Sequence, residues 1–275
     1  MKKVPIWSLL VNEGFFEDRK AAESWIMSGS VLVNEKRIAT PGQIINPADK
    51  IRIKGHDRKY VSKGGLKLEG ALTDFNIDVR GRVAIDAGAS TGGFTDCLLQ
   101  HGADLVYAVD AGHGQLAGKL RLEDKVVNME KTNISDSRLL CLNPRPDFAT
   151  VDLSYISLKK AIPVFADIMK NEGEMLCLVK PLFEVEDSDT RRTGKIEDIN
   201  IYREILIDLY EYINSIGHTV TGITHSHVTG NKGTREFFLR VLFGRQKSVY
   251  SFSSCKHEID KAIDNVMKID VFKKA

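Results

Sequence analysis

Four side chains in this sequence have the types needed to handle a proton: Lys67, Asp152, Lys180 and Glu236. Lys180 ends the apolar part of MLCLVKPLFE (175–184), a run that reads as a buried parallel strand and is followed at once by Pro181. A charge in that position either surfaces into water or is held at a site. Asp152 stands in the same relation to the strand FATVDLS, Glu236 opens the strand in NKGTREFFLRVLF, and Lys67 lies on the helix in SKGGLKLEGAL. Taken singly, each has a plain reading, since a strand-end Asp caps a helix and a strand-end Lys reaches solvent. Ligands of open α/β sheets bind beyond the carboxyl ends of the strands. If the last strand runs antiparallel, its beginning lies at that same rim, and two lysines and two carboxylates meet there.

The elements that must position them follow from residue 81 onward. RVAIDAG is a strand, FTDCLLQHG a helix, DLVYAVDAG a strand, QLAGKLRLE a helix and KVVNM a strand. FATVDLS, LKKAIPVFADIMKNEG and EMLCLVKP continue as strand, helix and strand. A long helix in REILIDLYEYINSIG and two strands, HTVTGITHSHV and REFFLRVLF, close the unit. This alternation predicts an α/β fold with a doubly wound, mainly parallel sheet covered on both faces. Ahead of it, WSLLVNEGFF and RKAAESWIMSG read as helices, the second N-capped by Asp18, and 30–54 as short strands around the Pro41-Gly42 turn. The expected organisation is a small α+β domain over 1–58, a linker over 59–65, the α/β domain over 66–245 and a helical tail over 246–275.

DAGASTGGF (86–94) follows the first strand of the α/β unit and opens a helix. Glycines there let the backbone turn tightly and approach a ligand. The spacing is not the GxGxxG of a nicotinamide site, and no GK[ST] follows, so a dinucleotide fingerprint and a P-loop are both excluded. The pattern resembles motif I of class I S-adenosylmethionine-dependent methyltransferases, with Asp86 before the glycines. The acid at the end of the next strand, Asp110, can accept both hydroxyls of a ribose. The resemblance assigns cofactor contacts to Asp86, Gly88, Ser90, Thr91, Gly92, Gly93, Phe94 and Asp110, although Phe94 by itself reads as core.

With YVSKGGLKLEGAL, IDAGASTGGFTDCLL, VDAGHGQLAGKLR, VDLSYISL, LVKPLFE and GNKGTREFF together, the α/β domain resembles FtsJ-type ribose 2′-O-methyltransferases. Nearly the whole chain resembles the TlyA (haemolysin A) family, which joins an S4 RNA-binding domain to such a Rossmann-like domain. Carried over by position, the family's Lys-Asp-Lys-Glu tetrad is Lys67, Asp152, Lys180 and Glu236. A ribose hydroxyl is a poor nucleophile near neutral pH, so it must be held in line with the methyl carbon and relieved of its proton. In this reading Lys180 accepts or steers the proton, Asp152 orients Lys180, and Lys67 and Glu236 hold the ribose and Lys180. The resemblance implies S-adenosylmethionine as cofactor and ribosomal RNA or ribosomal subunits as partner, with a cytidine as target.

Charge distribution fits an RNA partner. Residues 1–65 carry 12 Lys and Arg against 7 Asp and Glu, whereas the rest carries 27 against 30. Arg19, Lys20, Lys36, Arg37, Arg58 and Lys59 are the expected phosphate contacts, in the basic module and the hinge GHDRKYVSKGG. Four dispersed cysteines form no CxxC, so no zinc or disulfide framework is expected. His225 and His227 share a strand face, but no third ligand is evident and no metal is expected. Without an export signal or an apolar stretch of the roughly 20 residues that span a bilayer, the chain reads as cytoplasmic. The toxin reading carried by the family name therefore gains little from the sequence. A non-catalytic RNA-binding or assembly factor would have no need of Asp86, Asp110 and the four tetrad residues.

Overall fold

The computed structural model describes residues 3–13, 15–16, 18–54, 59–185, 196–230, 233–244 and 251–269. Its N-terminal module contains β1 (Val4–Pro5), α1 (Ile6–Asn12), α2 (Arg19–Met27), β2 (Val31–Val33), β3 (Lys36–Ile38), β4 (Ile44–Ile45) and β5 (Ile51–Ile53). Asp18 caps α2 as expected, its carboxylate accepting from the Ala21 amide at 2.9 Å. Asn34 and Glu35 both have positive φ, the signature of the tight two-residue hairpin that joins β2 to β3. Ile6, Leu10, Phe16, Ile26, Val31 and Val33 form a hydrophobic core belonging to this module.

The α/β unit continues with α3 (Lys63–Asp74), β6 (Val83–Ala87), α4 (Gly93–Gln100), β7 (Leu105–Asp110), α5 (Gly118–Arg121) and β8 (Val126–Glu130). There follow β9 (Phe148–Val151), α6 (Leu158–Ile168), β10 (Glu174–Val179), α7 (Pro181–Glu184), α8 (Ile199–Ser215), β11 (Thr219–His225), β12 (Phe237–Leu242) and α9 (Phe252–Lys268). The seven strands are ordered β11-β12-β10-β9-β6-β7-β8, and β12 alone runs antiparallel to its neighbours. Strand alternation divides the core cleanly. Met175, Cys177 and Val179 of β10 face one cluster with Phe165, Leu206 and Ile259, while Leu176 and Leu178 face the other with Leu68, Phe94 and Phe238. Because β10 is covered on both faces, all six of its residues are buried, and an unbroken apolar run is what such a strand requires.

Three segments pack in ways that local pattern does not show. Residues 59–65 pack with the α/β unit: Tyr60 is buried, the Val61 amide donates to Asp96 at 2.8 Å, and residues 63–65 already belong to α3, capped by Ser62. QLAGKLRLE forms only the single turn α5, with no side-chain cap at Ala117. The expected C-terminal tail contains α9, whose Cys255, Ile259, Ala262, Ile263 and Val266 lie at helical spacing and pack into the core of the sheet. It is an integral layer of the fold.

Candidate active site

The strand order changes direction at β6, whose neighbours are β7 on one side and β9 on the other, and this switch point opens a crevice at the strands' carboxyl ends. Asp152, just beyond β9, donates its amide to the Ala87 carbonyl at 2.9 Å, so the two strand ends are tied together. Gly88 follows Ala87 with φ of +81°, and a Cβ at that position would lie 2.3 Å from the Asp152 carbonyl oxygen. Only glycine allows the loop to close against β9 in this way.

Local chemistry explains the placement of Lys180. As the residue before a proline it is held extended (φ −107°, ψ 97°), and Pro181 then occupies the first position of α7. The chain turns sharply after β10, leaving the lysine at the mouth of the crevice. Its ammonium forms an ion pair with Asp152 and lies 3.0 Å from Ser154 Oγ. Ser154, missed in the sequence reading, was visible only as the first of two serines in VDLSYISL. Lys67 on α3 donates to Glu236 Oε2 at 2.5 Å, and both side chains are almost wholly buried. Burial raises the Glu236 carboxyl above its usual range, and Lys67 and Lys180 oppose that rise. All four residues line one cleft of about 660 Å³, together with Gly88, Ser90, Thr91, Gly93, Phe94 and Tyr155.

Other expected cofactor residues sit differently. Asp86 is fully buried and outside the cleft lining, with its two oxygens taking the hydroxyls of Thr95 (2.6 Å) and Thr150 (2.9 Å). Burial pushes its pKa up to about 6 against those hydrogen bonds. It joins β6 to α4 and β9, holding the glycine loop from behind. Asp110 accepts the amides of Ser90 (2.7 Å) and Gly112 (2.6 Å), which fixes the loop's edge and leaves further lone pairs on its carboxylate. Gly92 has φ of +95° and caps α4 outside the cleft lining. Phe94 touches the cleft but is 3% exposed and stacks with Phe238, so packing dominates its environment.

Of the expected RNA contacts, Arg19 is paired with Glu23 (2.7 Å) and lies over the Trp7 ring. Arg37 reaches the Ser28 carbonyl (3.0 Å), and Lys59 is paired with Glu69. Lys20 and Lys36 are exposed, and Arg58 lies outside the described residues.

The FtsJ-like methyltransferase family profile matches residues 60–243. Hemolysin A of Brachyspira hyodysenteriae is 38% identical over 232 residues, covering 84% of this chain and 96% of that protein. The 16S/23S rRNA (cytidine-2′-O)-methyltransferase TlyA of Mycobacterium tuberculosis is 34% identical over 231 residues, covering 84% and 86%. The chain belongs to the TlyA/haemolysin A family of FtsJ-like methyltransferases. Its cofactor is S-adenosylmethionine. A solved structure from Streptococcus thermophilus, carrying the provisional description hemolysin, is 36% identical with a TM-score of 0.74 and covers 98% of both chains. A shorter likeness, 36% over 52 residues, links this methyltransferase to ribosomal protein uS4 of Mycoplasma genitalium, covering 19% of this chain and 25% of that one. Among the described residues, no helix is long and apolar enough to cross a membrane.

The cleft fits that cofactor in size and lining. Its volume lies within the range of small-molecule sites, and Gly88, Ala89, Ser90 and Gly93 present backbone with little side-chain obstruction.

Proposed function

We propose that this methyltransferase acts on a ribose 2′-hydroxyl of ribosomal RNA, at a cytidine, using Lys67, Asp152, Lys180 and Glu236. The observation that carries the reading is the meeting of two Lys–carboxylate pairs on the wall of one glycine-looped cleft. When bound, the sulfonium cofactor supplies an electrophilic methyl group with its own leaving group. The chain's task is then to aim a hydroxyl oxygen and take its proton. Lys180, at the cleft mouth, is the group placed to accept or steer that proton, with Asp152 and Ser154 fixing its direction. The buried Lys67–Glu236 pair forms a rigid flank for the ribose.

Tyr155 extends the site outward. It has φ of +67°, is 91% exposed, and its ring centroid lies 5.0 Å from that of Phe183. A bulky residue held in the left-handed region and left in water suits a platform for a base turned out of its stack. We assign residues 1–58 as an S4-like module that brings RNA to the cleft, on the strength of its own core, its basic balance and the uS4 likeness. Its phosphate contacts are proposed at Arg19, Lys20, Lys36, Arg37, Arg58 and Lys59. A ribosomal substrate places the enzyme in the cytoplasm.

The test is methyl transfer from labelled S-adenosylmethionine to unmodified small and large ribosomal subunits, with nucleoside digestion to locate the label. Ribose 2′-O label is expected with the wild type, and Lys180→Ala should lower turnover by about 10²–10⁴-fold while keeping cofactor affinity. Label on a base, or wild-type turnover by the variant, would overturn the assignment. Cofactor binding with no transfer to either subunit would favour an RNA-binding assembly factor.

A further inference from the structure

His225 and His227 lie one residue apart at the end of β11, and the sequence offers them no obvious partner. The fold supplies one 153 residues before His227: Asp74, the last residue of α3. His227 Nε2 lies 2.9 Å from Asp74 Oδ2, and one donor atom from each of the three residues lies within 4.8 Å of the other two. The two imidazole rings stack with centroids 4.9 Å apart. The Thr224 hydroxyl donates to Asp74 Oδ2 at 2.5 Å and so sets the carboxylate's orientation. A His227–Asp74 hydrogen bond accounts for two of the residues. It leaves His225 unexplained, because His225 Nδ1 is buried and has no hydrogen-bond partner among the described residues. A buried ring nitrogen without a hydrogen-bond partner, beside a second imidazole and a carboxylate, has the composition of a ligand set.

We propose that Asp74, His225 and His227 bind a divalent transition-metal ion of the zinc class, with water in the fourth position. Two imidazoles and one carboxylate suit zinc and its neighbours, whereas magnesium and calcium prefer all-oxygen surroundings. In a tetrahedral site with bonds of about 2.0–2.1 Å the ligand atoms stand roughly 3.3 Å apart. The His227–Asp74 separation of 2.9 Å lies close to that value, and the ligand atoms of all three residues fall within 4.8 Å of one another, near enough for an ion to draw them together. Glu258 and Lys261 of α9 line the adjoining groove of about 220 Å³ with opposite charges.

The position gives the ion a structural role. Asp74 is about two turns along α3 from Lys67, and the Ser226 amide, between the two histidines, donates to the Glu236 carbonyl at 2.9 Å. The metal therefore clips the helix carrying Lys67 to the segment carrying Glu236, from outside the cleft.

The test uses tag-free, full-length protein in zinc titration calorimetry, with cobalt absorption to read the coordination geometry. The wild type should take one zinc at this site and give tetrahedral cobalt bands. His225→Ala and His227→Ala should each weaken zinc at least about tenfold, and Asp74→Asn should weaken it as well. Cys141→Ser, which removes an exposed thiol, should change nothing. Zinc should raise the melting temperature of the wild type and of none of the ligand variants. Circular dichroism checks each fold, and His225→Gln replaces any alanine variant that does not fold. Absence of zinc binding by the wild type, or wild-type affinity in the histidine variants, overturns the site.

Discussion

The two Lys–carboxylate pairs of the cleft share composition but not environment. Lys67 and Glu236 retain only 6% and 5% of their side-chain exposure, whereas Lys180 and Asp152 retain 18% and 23%. A sealed pair cannot lose one partner without leaving the other charge uncompensated in a poor dielectric, so its geometry is rigid and its removal costly. The second pair keeps about a fifth of its exposure and so can meet a substrate, although Asp152 Oδ1 is itself buried. On the proposed reading, the difference separates two duties within one cleft: one pair holds its wall, and the other handles the proton.

The strongest way to break this comparison is to neutralise each pair in turn. Glu236→Gln strands the Lys67 ammonium in the interior and should cost about 3–5 kcal/mol of stability. Lys67→Met should cost less, because Glu236 already has a raised pKa from burial and can take a proton. Its residual loss should grow as pH rises, since a carboxyl with a raised folded-state pKa favours the native state most at low pH. Lys180→Ala, by contrast, should cost less stability than Glu236→Gln, because its pair is less buried, while turnover collapses. Denaturant midpoints measured against pH decide the matter, and equal losses for all three variants would show that the two pairs do not differ in kind.

Asp86 sharpens the contrast, being a sealed carboxylate held by two threonine hydroxyls and, among the described residues, by no ion pair. Its folded pKa of about 6 exceeds its unfolded value, so the native state binds the proton more tightly, and stability should fall as pH rises from about 4 to 6. Asp86→Asn removes that dependence and should gain up to about 3 kcal/mol on the wild type across the interval. Parallel melting curves for the two proteins between pH 4 and 6 would refute this. The smallest effect belongs to the exposed rim. Tyr155→Ala should leave stability within about 0.5 kcal/mol and raise the KM for RNA by the equivalent of about 1–3 kcal/mol of lost stacking. An unchanged KM would remove Tyr155 from the substrate platform.

Much of this was legible along the chain, for identifiable reasons. The unbroken apolar run of β10 declared a buried strand, and the charge of Lys180 at its end marked a candidate site. The surroundings of Asp86 were not legible, because an acid preceding glycines looks the same in sequence whether it faces a ligand or two threonines. Thr95 and Thr150, 9 and 64 residues away, decide that orientation. The basic residues of the N-terminal module were chosen by charge alone, which cannot show that Arg19 and Arg37 are already engaged by Glu23 and Ser28. The helix α9 was read as a tail although its apolar stripe was present, because nothing local states which surface such a stripe will cover.

Periodicity, turn chemistry and strand-end residues were determined by the sequence itself, because they depend on neighbours within a few positions. The pairing of Lys67 with Glu236 across 169 residues, and of Asp74 with His227 across 153, was decided only by the tertiary structure. Burial and hydrogen-bond geometry arise from contacts between distant segments, and strand order, which no local pattern specifies, determines which segments meet.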